Sequence, residues 1–302
     1  MTSKAFGLAQ LGNAFNDGAL SNRNKIINGA MQVSQRGDYT SATSLTVTGT
    51  YYLDRFKARA VGVTATFEQN VNQTLDNNDV VNTFRMDVTS TATGRVEVTQ
   101  IIEDFNWFKN KTVTFSARVK SNSTNARLVF NADGGGGTTA SSAHTGGGGW
   151  ELLTGTATLT SGVTGVQLYA GIQAAGTGDV AGVTSGDYFE VSEVQLEAGD
   201  TATPFEHRSY GQELALCQRY AYKVMQGFFL TKMRELDRSR ANYYQHPVQM
   251  RASPTVGSMA TTDAISVSVG TITDKGFVAD CVVTGDGFGA QINTEALVAA
   301  EL

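Results

Sequence analysis

Apolar and polar positions alternate along most of this chain. Val96 and Val98 are separated by polar residues within Gly94-Arg-Val-Glu-Val-Thr, and Val113, Phe115, Ala117 and Val119 alternate over a second run. Leu128 and Phe130 make a third, and Val166, Leu168, Ala170 and Ile172 a fourth. A period of two predicts a strand with one face toward a core and the other polar. Phe189 and Val191 begin another such run. A double polar step at Ser192-Glu193 then shifts the phase to Val194 and Leu196, which predicts a β-bulge. Gly199-Asp200 and Pro204 stop that strand. Ser209 and Gln212 have capping-box spacing, and Leu214, Cys217, Ala221 and Val224 follow at helical spacing.

Strands separated by turns in this way predict an all-β fold built on a β-sandwich. Earlier in the chain, Asn24 to Gly37 reads as a short strand, an Asn-Gly turn and a further alternation through Met31 and Val33. Tyr51 to Ala60 reads as a strand carrying the adjacent charges Asp54 and Arg55. Beyond the helix, strands are expected at Phe228 to Met233, Tyr243 to Met250, Ile265 to Gly270, Phe277 to Val283 and at the apolar C-terminus. The expected organisation is an arm at 1–23, a sandwich at 24–205, a linking helix at 206–225 and a smaller C-terminal β domain at 226–302. A β domain of that last size buries a modest fraction of its surface and gains from docking on a neighbour or on a copy of itself.

Composition narrows the function classes. The chain has 302 residues, 41% hydrophobic and 17% charged, with 33 Gly and only 3 Pro. Its formal net charge of -5 argues against a nucleic-acid partner, which needs a basic face to neutralise phosphates. No segment approaches the roughly 20 apolar residues of a membrane span. The first residues lack the apolar core of a signal peptide, so the chain is expected to be made in a cytosol and kept there until a later release. Two cysteines, Cys217 and Cys281, make no disulfide framework and read as small buried hydrophobes.

Two glycine-bearing stretches need separate treatment. In 1–23, Phe6, Leu8, Leu11 and Phe15 have weak helical spacing interrupted by Gly7, Gly12 and Gly18. Such an arm is either flexible or an anchor that orders on a partner. Residues 134–149 hold two runs of four glycines but lack the Gly-Lys-Ser/Thr ending of a phosphate loop, and read as a mobile hairpin tip or, as the alternative, a loop that orders on a ligand or a neighbouring subunit.

Three motifs together carry a resemblance. The first is Ile26 to Gly37, reading Ile-Ile-Asn-Gly-Ala-Met-Gln-Val-Ser-Gln-Arg-Gly, followed by Tyr52 to Lys57, Tyr-Leu-Asp-Arg-Phe-Lys. The second runs from Val194-Gln-Leu-Glu-Ala-Gly through Thr203-Pro-Phe-Glu-His-Arg-Ser-Tyr to Cys217-Gln-Arg-Tyr, and the third is Pro247 to Thr255. In this order they resemble bacteriophage tail-fibre-like virion structural proteins, over residues 24 to the C-terminus. The order of the Thr112 to Val119, Trp150-Glu-Leu and Tyr188 to Val191 strands is similar to the jelly roll of carbohydrate-binding modules. The resemblance implies a homotrimer and a place in the virion; the arm at 1–23 lies outside it and is the expected contact to other virion proteins of tail or capsid.

No catalytic constellation accompanies these motifs, and the chain is expected not to be an enzyme. His144, His207 and His246 have no metal-ligand spacing and no calcium-type ligand run appears, so no metal site or cofactor is assigned, while a structural calcium of the kind carbohydrate-binding jelly rolls hold stays open. His207 reads as a polar plug beneath the helix start. Sugar rings stack on exposed aromatics, which makes Trp107, Trp150, Tyr52 and Tyr244 the candidate contacts for a host-surface glycan. In strands, one member of each pair Tyr51-Tyr52 and Tyr243-Tyr244 must face away from the core. The expected function is therefore a tail-fibre-type virion protein attaching to host glycans. A head decoration or tail adaptor with no receptor role is the alternative. A polysaccharide-degrading enzyme fits less well, because no internal repeat of suitable period is visible.

Overall fold

The computed structural model describes residues 22–45, 49–176, 180–224, 229–230, 239–257, 265–283, 290–291 and 296–301. The anchor positions Phe6, Leu8, Leu11 and Phe15, and the side chain of Cys281, lie outside the described residues. The chain divides into two compact units, the first ending at Ser209 and the second beginning at Tyr210.

The first unit is a jelly-roll β-sandwich. Its strands are β1 (Thr43–Ser44), β2 (Thr50–Leu53), β3 (Phe56–Val61), β4 (Ala65–Thr74), β5 (Val80–Val88), β6 (Ala92–Ile101), β7 (Thr112–Ser121), β8 (Ala126–Asp133), β9 (Gly137–Ala140), β10 (Trp150–Thr158), β11 (Gly165–Ile172), β12 (Ala181–Val183) and β13 (Tyr188–Ala198). One sheet has the order β1-β4-β5-β13-β7-β10, and the other β2-β3-β6-β11-β8-β9 with β12 beside β6. The chain passes repeatedly from one sheet to the other, as at β3 to β4, β5 to β6 and β7 to β8. The inner faces meet directly: Phe115 of β7 stacks on Phe130 of β8 at 5.5 Å, and Tyr52 of β2 lies 4.3 Å from Phe67 of β4. The alternation seen in sequence is the cause, since Val96, Val98, Leu128, Leu168 and Ile172 all turn inward.

The double step at Ser192-Glu193 forms a bulge. The pairing of β13 with β7 shifts register between Ser192 and Gln195, and Glu193 adopts φ +51°. The freed backbone groups find other partners. Val194 N–H donates to Gly29 O at 3.0 Å, and Asn24 Nδ2 donates to Val194 O at 3.1 Å. The segment that supplies them was expected to be a strand, yet 22–42 contains no strand. Its asparagines explain the difference, because their side chains satisfy the backbone in place of a ladder. Asn28, at φ +62°, donates to Val33 O at 2.9 Å and to Asp54 O at 3.0 Å, and accepts from Val33 N–H at 2.9 Å. The next residue must be glycine. A Cβ on Gly29 would stand 2.2 Å from Val194 O.

Two further expectations change. Tyr51 to Ala60 is a hairpin rather than one strand, with Asp54 and Arg55 buried in its turn and Arg55 at φ +70°. Asp54 accepts from Gln35, and Arg55 donates to Ile101 O at 2.8 Å. The glycine-rich stretch is packed rather than a free tip. Gly137–Ala140 pairs with β8, and a Cβ on Gly135 would come within 2.2 Å of Thr160 Oγ1. His144 is buried there, accepting from Gly146 N–H at 2.9 Å and donating to Gly149 O at 3.0 Å.

The second unit opens with α1 (Tyr210–Gln218), whose buried residues are Glu213 and Cys217. This helix is shorter than the helical spacing suggests. Tyr220 N–H closes on Cys217 O at 2.9 Å, and Ala221–Val224 leaves as strand β14. Tyr220, Tyr222 and Val224 are β-favouring residues, and β14 can pair with an apolar terminal strand, so tertiary pairing overrides the local period. The remaining strands are β15 (Phe229–Leu230), β16 (Ser239–Gln245), β17 (Thr255–Val256), β18 (Ile265–Ile272), β19 (Gly276–Val283), β20 (Ala290–Gln291) and β21 (Ala296–Ala299). They form antiparallel sheets of order β14-β21-β17, β15-β20 and β16-β19-β18. Tyr222, Val224, Met250, Phe277, Ala279 and Val298 make its core. Within it, Tyr222 Oη bonds His246 Nδ1 at 2.7 Å, and burial pushes the Tyr222 phenol up to about 12.

Candidate functional site

The outer faces of the two sheets in the first unit differ in charge balance. On the β1-to-β10 sheet, Glu68, Arg85, Glu190, Lys120 and Trp150 stand in one cross-strand row. Opposite charges neutralise one another along it. Arg85 lies 3.9 Å from both Glu68 and Glu190 and pairs with Asp87. Chain segments cover another part of the same face. Thr203 N–H donates to Glu197 at 2.9 Å, and Glu206 N–H donates to Gln195 at 2.9 Å. This face is largely saturated by its own protein, although Glu193 Oε1 at the β13 bulge keeps no hydrogen-bond partner.

The outer face of the β2-to-β9 sheet is not. Register places Tyr51, Lys57, Thr99, Tyr169 and Val129 in one row, and Arg59, Glu97, Gly171 and Arg127 in the next. Arg95 lies further along β6. The face therefore gathers Lys57, Arg59, Arg95 and Arg127 around Glu97, with Asp133 at the far end of β8, within a chain of net charge -5. Glu97 is fully buried at the centre, with Oε1 3.5 Å from Arg59 Nη1 and 3.3 Å from Arg95 Nε. Its Oε2 has no hydrogen-bond partner, nor do Thr99 Oγ1 and both amide atoms of Gln173. Tyr169 is 5% exposed, donates to Gln167 Oε1 at 2.7 Å, and has a phenol pushed up by burial and by Glu97. No side chain fits at Gly171, where a Cβ would stand 2.1 Å from Val96 O. The result is a cationic rim over a buried polar floor, with the β6 backbone packed tightly against Gly171 beside Glu97.

Burial raises the Glu97 carboxyl above its ordinary value, against the pull of Arg95 and Arg59. A folded-state pKa above the unfolded one means that folding takes up a proton there. Stability from this group is fullest in acid, below the unfolded value, and falls as pH rises through the folded value. Glu97→Gln is expected to make that decline shallower, as read from thermal melts between about pH 4 and 8. A slope equal to the wild type would mean that Glu97 is not desolvated.

The four aromatic candidates do not assemble on this face. Tyr52 packs inward against Phe67 and Tyr39, while its neighbour Tyr51 faces out beneath Lys57 Nζ at 4.9 Å. Tyr244 likewise packs on Phe277 at 5.3 Å in the second unit, and Tyr243 is 60% exposed. Alternation correctly demanded one outward ring per pair, but a bulge between Tyr51 and Leu53 decides which one in the first. Trp107 sits in a 3-10 turn with Lys111 Nζ at 3.7 Å and Lys25 Nζ at 4.5 Å, so cations of its own chain occupy the ring. Trp150 lies on the saturated sheet, 5.9 Å from Lys120 Nζ. The residues that do converge are Arg59, Arg95, Glu97, Arg127 and Tyr169. Their signal was present in the polar half of the alternation, where Lys57 and Arg59, and Arg95, Glu97 and Thr99, recur at every second position.

No protein-family model and no curated protein matches the chain. Solved structures do. The enzymatically active domain of tailspike protein 4 of bacteriophage CBA120 matches 59% of this chain and 22% of its own length, at 13% identity and TM-score 0.37. The modules of endo-1,4-beta-D-xylanase 10B of Clostridium thermocellum match 56% of this chain and 29% of theirs, at 13% identity and TM-score 0.30. The family 11 carbohydrate-binding module of a cellulosomal cellulase from the same organism matches 54% of this chain and 99% of its own, at 12% identity and TM-score 0.29. The chain thus spans less than a third of the length of the first two. Scores this low carry no conclusion about what the present chain binds.

Proposed function

We propose that this chain is a virion structural protein of tail-fibre type whose first unit holds a host-surface glycan on the outer face of the β2-to-β9 sheet. The observation that carries the glycan reading is the unbalanced face itself, where Lys57, Arg59, Arg95 and Arg127 surround Glu97. Buried polar groups left without partners each cost on the order of 1–3 kcal/mol, and a native protein that keeps several on one face has a use for them. The arginine rim favours glycans that carry carboxylate or phosphate. Glu97 acts as a positioning residue, holding Arg59 and Arg95. The reading is binding without bond cleavage, in a homotrimer that reaches other virion proteins through its N-terminal arm. The virion role rests on the three-motif resemblance.

Charge reversal tests the face. Arg59→Glu with Arg127→Glu is expected to weaken retention on host cells or acidic host polysaccharide by about 10–100-fold, from charged hydrogen bonds of about 1.5–3 kcal/mol. Lys120→Glu, on the other sheet, is expected to leave retention unchanged, and added salt to lower wild-type retention. Equal retention by all three proteins would remove this face from the reading. Release of reducing ends from the polysaccharide would overturn the non-enzymatic part, and a monomer in light scattering would overturn the trimer.

A further inference from the structure

A second cluster lies at the bulge of β13, on the first unit. Asp79 comes from the turn between β4 and β5, Glu193 from the bulge, and His207 from the segment after β13. Each offers one ligand atom, and these atoms all lie within 4.8 Å of one another. His207 Nε2 is 3.6 Å from Asp79 Oδ2. His207 is thus no plug; its side chain is 52% exposed, with Phe205 edge-on to the ring at 5.0 Å.

Glu193 decides how the cluster reads. It is 4% exposed, and its Oε1 is buried with no hydrogen-bond partner. Its other oxygen, Oε2, is held by Arg118 Nε at 3.6 Å and Asn77 Nδ2 at 3.4 Å. Asn77 Nδ2 also donates to Asp79 Oδ2 at 2.8 Å, so one amide orients both carboxylates. Burial and the facing Asp79 carboxylate push the Glu193 carboxyl above its ordinary value. Two carboxylates are held face to face, one with a buried oxygen that has no hydrogen-bond partner, and the Arg118 guanidinium lies 3.6 Å from Glu193 Oε2.

We propose that Asp79, Glu193 and His207 bind one divalent transition-metal ion of the zinc class. The donor set selects the ion. Calcium and magnesium take all-oxygen sets, whereas an imidazole nitrogen beside carboxylates suits zinc and its neighbours. Two ligands at about 2.1 Å from a tetrahedral zinc stand roughly 3.4 Å apart, close to the His207–Asp79 separation. Three protein ligands leave one position for water or a donor group from a partner. The ion would tie the β4–β5 turn, the bulge and the 203–208 segment into one body, and stabilise the first unit by mass action.

The test uses the full chain, stripped with chelator and titrated with ZnCl2 by calorimetry and by thermal melt. One zinc per chain and a raised Tm are expected. His207→Ala, at a half-exposed position that tolerates truncation, is expected to lower the affinity by at least about tenfold and to abolish the Tm shift. Glu193→Gln is expected to do the same, with tryptophan fluorescence confirming a native fold. CaCl2 is expected to give no saturable heat. The proposal is overturned if zinc shows no binding at millimolar concentration, if His207→Ala binds as the wild type does, or if calcium binds as tightly as zinc.

Discussion

Phe67→Ala is expected to lower the unfolding free energy of the first unit by about 3–5 kcal/mol. Phe67 is fully buried on β4 and makes ring contacts on several sides. Tyr52 from the opposite sheet lies at 4.3 Å, Tyr39 from the irregular segment at 5.1 Å, and Phe84 from the neighbouring strand stacks at 5.8 Å. Truncation removes contacts with the two sheets and with the segment that closes the sandwich edge. Three aromatic neighbours cannot collapse into the hole without leaving their rotamers. Both tryptophans, Trp107 and Trp150, lie in the first unit, so their fluorescence in a urea titration reports that unit alone. The midpoint should fall with the slope preserved. A loss below about 1 kcal/mol would mean that Phe67 does not bridge the sheets as described.

Asn28→Ala is expected to cost about 3 kcal/mol or more, although it deletes only an amide. Asn28 is fully buried, and its side chain satisfies Val33 N–H, Val33 O and Asp54 O. Each orphaned buried group costs about 1–3 kcal/mol. Alanine at φ +62° adds about 1–2 kcal/mol of left-handed strain. Asn28→Gly separates the two causes, since it loses the bonds but not the conformation. It should lie about 1 kcal/mol closer to the wild type. Equal stability of all three proteins in the same fluorescence titration would show that the 24–37 segment does not clamp the sandwich.

The two substitutions mark where sequence reading succeeded and where it stopped. Phe67 and its fellow core residues were visible as one phase of a two-residue period, because a pleated strand turns alternate side chains to opposite faces. The bulge was visible for the same reason, as a break of phase at Ser192-Glu193. Asn28 reads as a turn residue in sequence, yet it organises a buried irregular segment through partners five and 26 positions away. No local pattern announces such a partner. The helix end at Gln218 was misread because Ala221 and Val224 continue a helical period that the pairing of β14 with β21 overrides.

The site residues divide along the same line. A period of two turns Glu97 and Tyr169, which lie between core positions, to the opposite face, but cross-strand register alone put them beside Arg59. Aromatics drew attention first because sugars stack on them, and packing then turned Tyr52 inward and set lysines over Trp107. The Asp79, Glu193 and His207 cluster had no spacing to read, since its members come from a turn, a bulge and a trailing segment.

By itself, the order of residues determined that this is a β protein, which positions face its core, where one strand breaks step and that no compact catalytic motif runs along it. These follow from side-chain period and turn chemistry, which are local. The folded chain alone decided which outward charges stand together, which tyrosine of each pair is exposed and which distant carboxylates and imidazole converge. Those depend on strand neighbours far apart in sequence, and a period of two carries no information about which strand lies alongside which.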